Sequence, residues 1–259
     1  MIHLQRPPKP IKLTEDLQTE LTEKFKADKN QDVWNKSFLR TALLDMSHGK
    51  CCYCETRINE GPAYMHIDHF KPKSIYPDEV VNWDNLFPAC GDCNSEKTDH
   101  DTVKKPILNP CEDDPRQFFY LSQAFYKSID RNPGSIANLT INVLDLNDLD
   151  KKCKVRYKVM AELVKKLDEI ALFARANRET LQEDTITRNK VIRGCRDLLK
   201  KCIPEAEFSA FNSTALHHDA DYEDLKQLLQ QEKLWTQELE DLDNRSRTCV
   251  FRNNRNADL

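Results

Sequence analysis

Cys51-Cys52-Tyr53-Cys54, His66-Ile67-Asp68-His69-Phe70-Lys71-Pro72, Asn82-Trp83-Asp84-Asn85-Leu86 and Cys90-Gly91-Asp92-Cys93-Asn94 form the stretch whose reading decides the fold. Two CxxC pairs bracket it, with 35 residues between Cys54 and Cys90. Each short turn aims two sulfurs at one point, so the four thiolates of Cys51, Cys54, Cys90 and Cys93 suit one tetrahedral Zn²⁺. A Cys₄ site has no open coordination position, which makes it a structural site rather than a catalytic one. Cys52 is adjacent and stands as an alternative to Cys51. The ion would join the two ends of a loop-rich segment whose own core is small.

The flanks have a different character. Upstream, a proline-rich arm leads to Thr14, Glu15 and Asp16, a helix start, after which Leu17, Leu21 and Phe25 recur on one face. A second stripe through Trp34, Phe38, Leu39, Ala42 and Leu43 ends at Gly49, read as a helix stop. Residues 1–49 are thus expected to be an arm and two helices, and 50–109 the site-bearing core. Beyond a stretch punctuated by Pro106, Pro110, Pro115 and Pro133, helical stripes return. They run through Val155, Val159, Leu163, Leu167 and Ile170, through Val191, Cys195, Leu198 and Cys202 up to Pro204, and through Tyr222, Leu225, Leu229 and Leu239. Residues 110–259 read as a helical module ending in a basic arm, with Arg245, Arg247, Arg252 and Arg255 between Asn244 and Ala257. The fold class expected is α+β, mostly helical.

Composition sets limits on function. The 259 residues include only five glycines, which argues against a glycine-rich phosphate-cradling fold. Neither a secretory leader nor an apolar run long enough to cross a membrane is visible, so the cysteines are read as metal ligands in a reducing, cytoplasmic setting. The formal net charge is −4, and residues 50–109 carry seven Lys and Arg against ten acids. A polyanion would be held poorly by that balance, so affinity for nucleic acid must come from local charge, metal or a partner. Cys111, Cys153, Cys195, Cys202 and Cys249 read as small hydrophobes, and His100, His217 and His218 as structural.

The order DH at Asp68 and His69, NL at Asn85 and Leu86, then CxxCN closing on Asn94 with Lys97 three residues on, resembles the HNH endonucleases in their zinc-stapled form. That resemblance covers about Lys50 to Asp101. It implies a ββα-metal core: a hairpin carrying Asp68 and His69, a loop pinned by Asn85, and a helix beginning near Cys93. Asp68 and Asn94 offer hard oxygen ligands suited to a catalytic Mg²⁺ or Mn²⁺. His69, alternate to Asp68 on its strand, is then the general base. By the same resemblance Asn85 orients His69 without touching metal. Lys97, Lys71 and Lys73 are candidate phosphate contacts, and His66, on the face of Asp68, is a further metal or substrate contact.

A narrower resemblance rests on the opening MIHLQRPPKP, on Pro106–Pro115 and on Thr140–Asn147. These stretches are similar to the HNH subunit of Septu-type and retron-associated anti-phage systems, the PtuB family. Membership would imply a PtuA-like ATPase partner and a nucleic-acid substrate, either DNA or RNA such as tRNA. In retron-linked members a reverse transcriptase with its DNA–RNA hybrid joins the complex. Two other functions fit the same residues. One is a stand-alone restriction or homing endonuclease, and the other is a non-catalytic zinc-scaffold adaptor whose helices carry the interaction.

Overall fold

The computed structural model describes residues 1–58 and 64–254. It divides into two compact units: Met1–Phe118 with Lys127–Asn147, and Phe119–Tyr126 with the chain from Asp148 onward. The class is α+β and mostly helical, with two sheets of two strands each among the described residues. None of the helices described is long and apolar enough to cross a membrane.

In the first unit, α1 (Glu15–Ala27) starts where Thr14 accepts a hydrogen bond from the Leu17 amide at 3.2 Å, satisfying one orphan donor of the first turn. Its Leu21 and Phe25 are buried with Val33, Val80 and Val81. The next helix, α2 (Ser37–Met46), buries Leu39, Leu43 and Met46 and packs on the strand that follows the site loop. Gly49, at φ +70°, donates back to the Leu44 carbonyl at 2.8 Å and turns the chain toward Cys51. Strands β1 (His66–His69) and β2 (Leu86–Ala89) are antiparallel, with Asp68 opposite Phe87 and His69 opposite Leu86. Then comes α3 (Gly91–Lys97), two residues earlier than the expected start near Cys93. The Cys90 sulfur is its N-cap, accepting from the Cys93 amide at 3.5 Å, so the helix forms as soon as the ligand turn does. The short strand β3 (Phe119–Ser122) and the start of β4 (Phe125–Ser128) belong to the second unit, and α4 (Ile136–Val143) completes the first, its Thr140 hydroxyl accepting from the Leu108 amide.

The second unit is built on α5 (Lys154–Ala176), α6 (Thr185–Lys200), α7 (Ser209–His217), α8 (Ala220–Gln231) and α9 (Gln237–Arg247). Leu163, Leu167, Val191, Leu198, Leu225 and Leu239 share its core, as the stripes require. One end of the first stripe differs: Val155 is exposed and Arg156 is fully buried. The guanidinium of Arg156 lies 4.9 Å from the Tyr126 ring and 4.7 Å from that of Phe211, and a cation on two aromatic faces replaces the expected aliphatic contact. The basic stretch expected as an arm is also ordered as far as it is described. Arg245 pairs with Glu205, Arg247 with Asp243, and Arg252 forms a bridge to Tyr120. Carboxylates give Arg245 and Arg247 local partners, which charge counting could not foresee, while Arg252 is held through its backbone; Arg255 lies outside the described residues.

Gly194 of α6 lies directly against Ile170 of α5, since a Cβ there would lie 2.6 Å from Ile170 Cδ1 and 2.9 Å from its Cγ1. Gly194→Ala is therefore expected to destabilise the second unit by about 1–3 kcal/mol in urea unfolding, with part of the loss restored by adding Ile170→Val.

Candidate active site and metal cluster

The first CxxC turn follows α2, and its backbone is fixed on both sides. Cys51 donates to the Thr56 carbonyl and Cys52 to the Pro88 carbonyl of β2, each at 2.9 Å. The second pair caps and enters α3. Together they bring the sulfurs of Cys51, Cys54, Cys90 and Cys93 within 4.8 Å of one another, with Cys54 and Cys90 at 3.6 Å. For Zn–S bonds of 2.3 Å the edge of a tetrahedron is ~3.8 Å, so the donor set fits zinc in number, chemistry and spacing. Cys52 does not belong to the set. Without a cation the four sulfurs compete. The shared sulfur network lowers the Cys54 thiol well below its usual range and raises Cys90 and Cys93, while burial raises Cys51. A divalent ion is what allows all four to ionise together.

Strand β1 carries Asp68 and His69, and each is held by residues far away in sequence. Asp68 is 4% exposed. Its Oδ2 accepts from the Tyr53 hydroxyl at 2.6 Å and its Oδ1 from the Lys97 ammonium at 3.0 Å. Lys97 also donates to the His69 carbonyl at 2.7 Å. This ammonium, expected at a phosphate, is buried and committed to the strand, because one turn of α3 points it under β1 rather than into solvent. His69 Nε2 lies 2.9 Å from the Val80 carbonyl, a pure acceptor, so the proton of the neutral ring sits on Nε2 and Nδ1 keeps its lone pair. Burial, and then the charge of Lys73, push the imidazole down to about 4, so it is neutral at pH 7. The Trp34 indole meets it edge to face at 4.8 Å.

Asn85 stands behind this pair and does not line the cavity in front of it. Its Oδ1 accepts from the Lys71 amide at 2.7 Å, and its Nδ2 donates to the Lys71 and Glu79 carbonyls at 3.0 and 3.1 Å. The side chain thereby ties the exit of β1 to the turn that presents the Val80 carbonyl to His69.

A cavity of about 710 Å³ opens in front of the strand, and Asp68, His69, Asn94, His66 and Lys73 line it. Lys71 does not, because Glu79 holds its ammonium at 3.0 Å. Trp34 and Arg40, from residues N-terminal to the cysteine-rich segment, complete the wall. Tyr53, Trp34 and the Val80 carbonyl were not singled out in the sequence. A tyrosine inside a CxxC turn and a tryptophan in an apolar stripe carry no mark of the group they will touch, and a carbonyl carries no side-chain signature at all.

A family model described as HNH endonuclease matches residues 51–100. A Septu protein PtuB from Bacillus thuringiensis is 34% identical over 238 residues, covering 92% of this chain and 90% of the relative. Another, from Bacillus mycoides (strain KBAB4), is 32% identical over 36% of this chain and 39% of its own length.

Metal analysis of the purified chain is expected to find one zinc per molecule. Cys90→Ala, which leaves three sulfurs and removes the α3 cap, should lose the zinc and unfold the first unit under conditions where wild type is folded. Full zinc content and an unchanged melting temperature in that variant would contradict the cluster.

Proposed function

The chain belongs to the PtuB family of HNH endonucleases, and from that premise we propose that it is the nuclease subunit of a Septu-type anti-phage complex. The observation that carries the reading is one cavity onto which the short strand β1 and the helix that begins at the cysteine cluster bring Asp68, His69 and Asn94. Residues 50–109 supply the chemistry, residues 1–49 support it, and the helical part of 110–259 docks the partner.

His69 is the general base. With its Nε2–H held by the Val80 carbonyl, Nδ1 is the atom that takes a proton from water as that water attacks phosphorus and the P–O3′ bond breaks. Asp68 and Asn94 are the ligands of a divalent ion. Tyr53 and Lys97 occupy one direction at each Asp68 oxygen, and each oxygen keeps a second lone pair for a cation. When bound there, Mg²⁺ or Mn²⁺ supplies positive charge against the charge growing on the phosphate and the departing oxygen. Asn85 positions His69 through the backbone. Lys73 and His66, both on the cavity wall, contact substrate, while zinc in the cysteine cluster is structural.

A net charge of −4 leaves little general attraction for a polyanion. Grip on DNA, or on RNA such as tRNA, therefore comes from a PtuA-like ATPase in the cytoplasm, and cleavage stays low until the complex forms.

The test is cleavage of plasmid DNA and of total tRNA with Mg²⁺, by the chain alone and with the ATPase encoded beside it. His69→Ala and Asp68→Ala should lower cleavage by at least about a hundredfold, the lower end for loss of a general base, while leaving assembly with the ATPase intact. Anti-phage protection that survives both substitutions would make the chain a zinc-scaffold adaptor. Full activity without any partner would make it a stand-alone nuclease.

A further inference from the structure

A nuclease cavity must accept a chain of phosphates, and the charges on this wall are not obviously suited to that. Three carboxylates line it, Asp32, Asp68 and Asp99, against two cations, Arg40 and Lys73. The other lysines near the motif are committed elsewhere: Lys97 lies buried against Asp68, and Lys71 is tied to Glu79. Lys73 is partly engaged too, with its ammonium 4.8 Å over the Trp34 ring. Arg40 differs from all of these. Among the described residues it makes no ion pair and no side-chain hydrogen bond, yet it lies on the cavity wall.

Its position follows from the helix that carries it. Leu39, Leu43 and Met46 form the buried stripe of α2. One residue after Leu39 is about 100° further round the helix, so Arg40 stands half-buried on the flank of that stripe. The guanidinium presents a planar fork of donors, the shape that matches two oxygens of one phosphate. A guanidinium fork on the cavity wall that makes no ion pair and no side-chain hydrogen bond among the described residues has its matching partner in the substrate.

We propose that Arg40 is a phosphate-binding residue of this site, gripping a backbone phosphodiester of the nucleic acid while the β1 residues act on the scissile bond. The proposal rests on the nuclease reading and extends the substrate site to the N-terminal helices, outside the segment that carries the motif. The contact is to the backbone, so it is made equally with DNA and with RNA.

Binding and cutting are read separately. Binding of a fluorescent DNA duplex and of fluorescent tRNA is measured against salt concentration in the His69→Ala background, with the partner ATPase present. Arg40→Gln should weaken binding about fivefold to tenfold at low salt, and the slope of log K against log salt should become shallower by about 0.7–0.9, the signature of one lost phosphate contact. Arg40→Lys keeps the charge but not the fork, so it should keep the slope and still bind more weakly than wild type. Lys12→Gln, at an exposed lysine off the cavity, should change neither quantity. In cleavage by the chain with an intact His69, Arg40→Gln should raise KM with kcat little changed.

Unchanged slope and affinity in Arg40→Gln would overturn the proposal while leaving the nuclease intact. If Arg40→Gln does not fold, an Arg40→Lys affinity equal to wild type overturns it instead. Failure of the wild-type complex to bind or cut either nucleic acid would remove the nuclease reading and this proposal together.

Discussion

Four sulfurs drawn from two turns far apart in sequence meet within 4.8 Å, and the placement of β1, β2 and α3 follows from that meeting. The first turn is bonded to β2 through Cys52 and Pro88, and the second supplies the cap of α3. Neither strand exceeds four residues and the helix has only seven, so none of these elements is long enough to persist alone. A metal at the cluster makes their arrangement a consequence of coordination geometry rather than of core size. The site residues inherit their positions from it: Tyr53 comes from within one ligand turn and Lys97 from the end of the helix that begins at the other.

The buried ion pair between Lys97 and Asp68 is fixed from two directions. Asp68 is 4% exposed, and its two oxygens take the Lys97 ammonium at 3.0 Å and the Tyr53 phenol at 2.6 Å, so a removed partner would leave a buried charge uncompensated. The same lysine bonds the carbonyl of the next residue, so the pair on β1 is oriented from beneath by a single side chain.

Support from the other side comes from outside the motif. Leu21 and Phe25 of α1 pack with Val80, whose carbonyl fixes the His69 tautomer, and Trp34 meets the imidazole directly. Residues N-terminal to the segment recognisable by motif therefore pack directly against its His69 and Val80. The imidazole is 5% exposed, with the Trp34 indole edge to face against it and the Val80 carbonyl at its Nε2.

The sequence alone determined the cysteine cluster and the helical stripes of the second unit, because each depends on local spacing, whereas the hairpin with Asp68 and His69 was legible through the resemblance to HNH endonucleases. CxxC turns and 3.6-residue repeats are properties of a short window of chain, and so is the stop at Gly49. Tertiary structure alone decided which polar groups meet. It buried Lys97, which the motif order placed at a phosphate, tied Lys71 to Glu79, set Arg40 on the cavity wall, and put Arg156 where an aliphatic residue was expected. The partner of a long charged side chain is whatever neighbour the packing of distant segments delivers within about 3 Å, and no local pattern records that distance.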